Sequence, residues 1–326
     1  MTTLVEKSVK SAGGDYSTLS GWESGQQGNL TISDTIQRAC CYDFALSDDV
    51  AVSGWTTSAT QYPEIRAQKT AADGGATQSG LGHSRDVSGS GFQISNNASG
   101  AATIRVVTAF TRVIGLNIKS TDASQPWGTN FGGAWAVAND TTLLDSCVLQ
   151  APSCTAGYAL GDTVANLKMT VQNNVIYIGG TTSRLIDTRS AATASLYFNT
   201  AKGGADLGFV CDVEATVKDN FCFGFTSQCF WNGGTPTGTF NASSDSSANS
   251  APYSSGINSL TASNELTNVT GGSEDYSLKG GNHLAGAGTA IGGITVDIAG
   301  TTRSTNDIGA FAAAGAADTL FAQGCM

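Results

Sequence analysis

The sequence predicts an all-β solenoid, and three observations predict it. A five-residue strand-like window recurs through the middle of the chain, short apolar runs are separated by turn-forming residues, and the composition excludes the helical alternatives. Of 326 residues, 41 are Gly, and only 16 Lys+Arg and 26 Asp+Glu make 13% charged, against averages of about 7% Gly and 25% charged. The low charge excludes highly charged disorder. The lack of long Ala, Glu, Lys, Leu and Arg runs at helical period excludes coiled coils and helical bundles. The length suffices for one large core without staples.

The recurring windows are Arg112-Val-Ile-Gly-Leu116, Leu143-Leu-Asp-Ser-Cys147, Val171-Gln-Asn-Asn-Val175, Leu196-Tyr-Phe-Asn-Thr200 and Val217-Lys-Asp-Asn-Phe221. Their spacings fall from 31 to 21 residues, the fourth position is always small or polar, and apolar residues follow it. Each window is a strand bent at a turn-prone residue. Further strand-like runs precede four of them: Ala134–Ala138, Tyr158–Leu160, Arg184–Ile186 and Leu207–Cys211. Two or three strands per repeat suit one coil of a solenoid, whereas the connections are too short for the helix of a βαβ crossover. An antiparallel sandwich also has short strands at regular spacing. The match in kind at equivalent positions favours residues stacked in parallel register.

A solenoid needs caps at its open ends. The run Ser33–Leu46 predicts a short amphipathic cap helix, with Ser33 or Asp34 as N-cap and Ile36, Ala39 and Cys40 on one face. Residues 1–60 are accordingly expected as an N-terminal cap and docking segment, and residues 61–326 as the solenoid with closing coils at its C-terminus. The stretch 233–264, rich in Ser, Asn, Gly and Thr without apolar period, is expected as a long surface excursion.

A net charge of −10, with no basic run, argues against a nucleic-acid partner. No stretch approaches the length of an apolar membrane span, and the opening Met1–Ser11 lacks the apolar core of a secretory signal. The eight cysteines include no CxxC pair and lie far from His83 and His283, so zinc is poorly supported and buried free thiols are expected.

The opening Lys10-Ser-Ala-Gly-Gly-Asp-Tyr-Ser-Thr-Leu19, followed by Trp22, resembles the entry motif of right-handed parallel β-helix proteins of the pectate-lyase-like kind, phage tailspikes among them. The closing Tyr276-Ser-Leu278, Asp297, Gly300, Arg303 and Asp307-Ile-Gly-Ala-Phe311 is similar to their C-terminal signature. The resemblance implies a right-handed parallel β-helix, to which the residues Ser33–Leu46 add the short N-terminal cap helix. It also implies a homotrimer, because spikes of this kind associate three-fold. It says little about function, since lyases, hydrolases, adhesins and virion proteins share the architecture.

Carbohydrate-cleaving β-helices work with carboxylates, or with Ca²⁺ and a basic residue. The coil alignment places an Asp at the end of one strand in four successive coils, Asp140, Asp162, Asp187 and Asp212. In register they would form a ladder of carboxylates about 5 Å apart, raising some pKa values or holding Ca²⁺. The alternative is that Asp ends strands by hydrogen-bonding the following turn, and on that reading there is no catalytic residue, cofactor or metal. Arg184 and Lys218 are the basic residues near the ladder. Neither the Asn-Thr-Asp nor the Arg-Ile-Lys motif of polygalacturonases is present, Asp48-Asp49 falls in an expected loop, and no GxSxG elbow occurs. Of the five Trp, Trp127 and Trp231 lie at loop–strand junctions where they could line a groove, and Trp135 reads as packing.

The expectation from these residues and this resemblance is a non-enzymatic bacteriophage virion protein. It would be a trimeric β-helix assembled in the bacterial cytoplasm that decorates and stabilises the capsid surface as a cement protein, or projects as a spike. Its partners would be its own copies, the major capsid protein or other virion proteins, and host surface polysaccharide. The alternatives are a tailspike depolymerase using the Asp ladder and a non-catalytic carbohydrate-binding adhesin.

Overall fold

A computed structural model describes residues 1–42, 45–67, 92–96, 102–120, 129–131, 141–152, 158–162, 168–179, 184–188, 193–204, 206–211, 214–270, 274–303 and 306–313. Within them the chain winds as a right-handed parallel β-helix of three stacked sheets. The first sheet has ten strands, running from Thr3–Val9 through Thr35–Cys41 and Pro63–Ala67 to Thr237–Thr239 and Tyr253–Ser254. The second has seven, from Val50–Val52 to Gln228–Asn232, and the third eight, from Ala45–Ser47 to Ala242–Ser243. Each coil passes from first to third to second sheet, as in Thr141–Asp145, Val148–Ala151 and Tyr158–Asp162.

Like residues stack on like inside the coil. Val113, Leu144, Val171, Leu196 and Val217 form one fully buried column of the first sheet. Ile118, Leu149, Ile176, Ala201 and Cys222 form another on the third. Burial of such side chains stabilises by about 1.5–3 kcal/mol each for Val, Leu or Ile, and the parallel register makes every coil template the next.

The bend between first and third sheets sits at one left-handed residue per coil: Gly115, Ser146, Asn173, Phe198, Asp219 and Phe240, with φ from 54° to 75°. This corrects the alignment of the windows. Leu143 pairs with Arg112 as expected, but it also pairs with Thr170, not Val171. The fourth positions therefore belong to two adjacent columns. Gly115 and Ser146 are bend residues, whereas Asn174, Asn199 and Asn220 are the residues after the bend.

The cap helix lies elsewhere than expected. Leu19–Gln26 is the helix, with the Thr18 hydroxyl accepting Gly21 N–H at 3.0 Å. Its Trp22 is buried against Trp55, ring centroids 5.6 Å apart. The predicted helical stretch instead holds the strand Thr35–Cys41, whose neighbours Thr3–Val9 and Pro63–Ala67 pair with it along both edges. Those two ladders outweigh a three-residue helical pattern, and Asp34, at φ 50°, ends the single turn Leu30–Ser33 before it. Residues 1–60 thus contribute strands to all three sheets. The stretch 233–264 is likewise no free excursion, since it forms the last coil with Thr237–Thr239, Ala242–Ser243 and Tyr253–Ser254.

Beyond Thr261 the chain turns back along the outside of the third sheet. An antiparallel hairpin, Leu266–Asn268 with Asp275–Leu278, and the segment to Ala313 cover its outer face. A second core results: Val148, Val175, Phe221 and Ala242 of the sheet against Leu266, Tyr276, Leu284, Ile298, Ile308 and Phe311 of this C-terminal arm.

Candidate functional site

Among the described residues the sheet register does not stack Asp162 on Asp187. Asp187 lies opposite Gly161 and Val210, and Asp162 lies opposite Phe131. The apolar column Leu160, Ile186, Phe209 and Phe230 sets this register, which slips one residue from an alignment by strand ends. Asp140 and Asp212 lie outside the described residues. Asp187 is buried and receives Arg184 Nη1 at 2.8 Å from the same strand. Lys218, the other basic candidate, lies on the first sheet beside Tyr197 and Thr239. Among the described residues no group of three His, Cys, Asp or Glu side chains converges as a metal site.

The remaining candidates hold the fold. Asp48 accepts the Ser20 N–H at 2.9 Å and its hydroxyl at 2.8 Å, tying the cap helix down. His283 closes on buried Glu265, with its N–H 2.6 Å and its Nδ1 2.9 Å from the two carboxylate oxygens. Trp55 donates from Nε1 to Glu23 at 3.1 Å inside the cap. Trp231 is half-buried on the second sheet, one coil beyond Val210. His83, Trp127 and Trp135 fall outside the described residues. Cys40, Cys41, Cys147, Cys211, Cys222 and Cys229 are buried free thiols, and burial pushes the Cys147 thiol up to about 12.

Two polar constellations emerge that the sequence did not announce. The first is a ladder of buried asparagines. Asn174, Asn199, Asn220 and Asn241 each accept at Oδ1 the backbone N–H of the residue one coil earlier, at 2.8–3.1 Å. Each Nδ2 donates to a backbone carbonyl of the preceding coil, Leu144, Val171, Leu196 and Val217 in turn. The first three also donate to the next Asn Oδ1. The amide has the one donor and one acceptor set that repeats indefinitely along such a stack. The legible signal was Asn following the bend residue at spacings of 25, 21 and 21.

The second constellation is the charged clasp of the C-terminal arm. The Arg303 guanidinium lies over the Phe198 ring, 4.1 Å from its centroid. Its Nη2 donates to Asn173 Oδ1 at 3.0 Å and to the Gly309 and Ala310 carbonyls at 2.9 and 3.2 Å. Asn173 in turn donates to Asp145 Oδ1 at 3.2 Å. Asp297 accepts the N–H groups of Ala299, Thr301 and Ala312, and Asp307 those of Gly286 and Ala313. Burial lowers Arg303 to about 10, against the pull of Asp297, Asp307, Asp219 and Asp145. Burial raises Asp219 to about 7, opposed by the Thr289 N–H and by Arg303. The closing motif of the sequence is therefore a fastening: Asp297 and Asp307 fold the arm upon itself, and Arg303 pins it across the successive bends at Asn173 and Phe198.

The opening motif is a fastening too. Asp15 accepts the Ser8 N–H at 2.8 Å and the Ser8 hydroxyl at 2.9 Å at the end of the first strand, and Gly13, at φ 71°, turns the chain back to it. On the first sheet's outer face, Glu6, Arg38, Glu64 and Arg66 link three coils through contacts of 2.6–2.7 Å.

These features define a structural class, the right-handed parallel β-helix closed by a C-terminal arm. No protein-family model and no curated protein matches the chain. Among solved structures it is similar to the crystal structure of pectate lyase Pel9A, at 11% identity over 85% of this chain and 88% of that one, with a TM-score of 0.31.

Proposed function

We propose that this protein is a structural component of a bacteriophage particle, a rigid homotrimeric β-helix that decorates and stabilises the capsid surface or projects from the virion as a spike. It assembles in the bacterial cytoplasm, and its partners are its own copies and the major capsid protein. The assignment to phage is carried from the resemblance of the opening and closing motifs to pectate-lyase-like β-helices, phage tailspikes among them, taken with an opening Met1–Ser11 that has no apolar signal core. One observation supports a mechanical role over a catalytic one: the ladder Asn174–Asn199–Asn220–Asn241 runs unbroken beneath an arm that Asp297 and Asp307 fold upon itself and Arg303 pins to the coils. Buried amides and charges matched in this way commit polar chemistry to cohesion between coils. The test is to quantify the chain in purified particles by mass spectrometry. A copy number matching the capsid lattice identifies a decoration protein, a number matching the tail identifies a spike, and absence from every particle contradicts the proposal.

A second reading, host-glycan binding with or without cleavage, draws on half-buried Trp231 of the second sheet, an indole on which a sugar ring can stack, two coils from the Arg184–Asp187 ion pair. Incubation with host surface polysaccharide separates these readings. Release of reducing ends or unsaturated products, lost in Asp187→Asn, makes the protein a depolymerase, whereas retention of polysaccharide without products makes it an adhesin.

A further inference from the structure

The N-terminal end of the solenoid presents an open strand edge of defined length and phase. Thr3–Val9 is the outermost strand of the first sheet. Thr3 N–H donates to the Asp34 carbonyl at 2.8 Å and the Val9 carbonyl accepts Tyr42 N–H at 3.2 Å. In a parallel pair this phase aims the backbone groups of Thr3, Val5, Lys7 and Val9 at Thr35–Cys41, and those of Leu4, Glu6, Ser8 and Lys10 the other way. Ser8 and Lys10 are occupied, because the Ser8 carbonyl accepts Tyr16 N–H and Lys10 N–H donates to the Tyr16 carbonyl, each at 3.0 Å. Ser8 N–H goes to Asp15. The N–H and C=O groups of Leu4 and Glu6 remain, and among the described residues none pairs with them. The open stretch is thus Thr3–Lys7, centred on Val5. Exposed Leu4 lies within it, and Ile32 is exposed at the same end of the solenoid.

We propose that this edge is a self-complementary contact with a second copy of the chain, formed by antiparallel pairing of Thr3–Lys7 with the same stretch about a two-fold axis at Val5. In that register Leu4 of each copy faces Glu6 of the other, and both exchange N–H···O=C bonds. Every open group of the edge is satisfied at once, with the Val5 residues meeting as the non-hydrogen-bonded pair on the axis. The stretch fits itself better than it fits a long foreign strand, because the Tyr16 segment blocks pairing beyond Lys7 on the same side. Head-to-tail stacking has no matching strand to use, since the sheet ends at Tyr253–Ser254, two residues long. Glu6 is already held by Arg38 at 2.7 Å, so Leu4 of the second copy meets a compensated carboxylate. A two-fold contact closes after one step and does not propagate into fibres. The inference stands whether or not the protein belongs to a virion, and it joins trimers end to end as readily as single chains.

Sedimentation of the full chain over a concentration series tests it. The wild-type assembly is expected to double in mass as concentration rises. Leu4→Pro deletes an outward N–H without touching the bonds to Thr35–Cys41; it is expected to stay at the lower mass with unchanged circular dichroism and melting temperature. Leu4→Glu places carboxylates opposite Glu6 twice per contact and is expected to weaken the doubling by about tenfold, whereas Leu4→Lys retains it. A wild type that keeps one mass at every concentration, or a doubling that persists equally in Leu4→Pro and Leu4→Glu, overturns the proposal.

Discussion

Asn220 receives two hydrogen bonds from Asn199 through a single side-chain oxygen, one from the backbone N–H at 3.0 Å and one from Nδ2 at 2.9 Å. The contact repeats from coil to coil in the buried interior of the bend, so each member is needed by the one before it. Asn220→Ala leaves the Asn199 N–H, the Asn199 amide and the Leu196 carbonyl short of partners. At about 1–3 kcal/mol for each buried unsatisfied group, the loss is expected to reach about 3–5 kcal/mol, read as a lowered denaturant midpoint. An unchanged midpoint would show that the ladder carries no load.

Asp219 gives a pH prediction with a definite sign. Its folded pKa of about 7 lies above the ordinary 3.8, so the folded state holds the proton more tightly than the unfolded one. Stability is therefore expected to fall as pH rises from about 4 to about 7, by on the order of 4 kcal/mol at most. Asp219→Asn keeps an acceptor for the Thr289 N–H, bound at 2.9 Å, and Asn tolerates the left-handed bend. The variant is expected to melt higher than wild type at pH 8, and the gap is expected to narrow towards pH 5.

Gly309 lies where the arm is bonded to the solenoid, its N–H donating to the Asp219 carbonyl at 2.7 Å. Its φ is 95°, and a Cβ there would stand 2.8 Å from the Thr200 hydroxyl, which accepts the Ala310 N–H. Gly309→Ala is expected to cost about 1–3 kcal/mol and to open the arm to limited proteolysis before the coils melt.

Asp15 holds the first strand from outside. The Ser8 N–H and hydroxyl lower its pKa from the ordinary carboxylate value, so its cap is present above about pH 4 and lost as pH falls through the lowered value. Asp15→Ala is expected to remove hydrogen-exchange protection at Ser8, Lys10 and Tyr16, leaving the central coils unchanged.

Much of this was legible in the sequence, and the failures have physical causes. The repeat from Arg112 to Phe221 revealed the coils because inward residues must match in size when they stack. The Asp162–Asp187 step of the carboxylate ladder failed because strand ends are a poor guide to register: Leu160, Ile186 and Phe209 decide it from within, placing Asp187 beside Gly161 and Val210. The cap helix was misplaced because Ile36, Ala39 and Cys40 satisfy a helical face locally, whereas partners on both edges of Thr35–Cys41 come from distant sequence. The asparagine ladder was half seen. Its residues were singled out as turn formers, but telling the bend column from the next one requires the φ of Asn173. The clasp was legible as a closing motif, but not its partner on the coils, because Arg303 and Asn173 are 130 residues apart.

The central claim, that this β-helix is a structural part of a phage particle, is tested most directly by electron cryo-microscopy of the purified particle. Three-fold clusters of a three-sheet solenoid are expected on the virion surface, with density for the C-terminal arm along the third sheet of each copy. A reconstruction of intact particles in which no surface density fits this coil would contradict it.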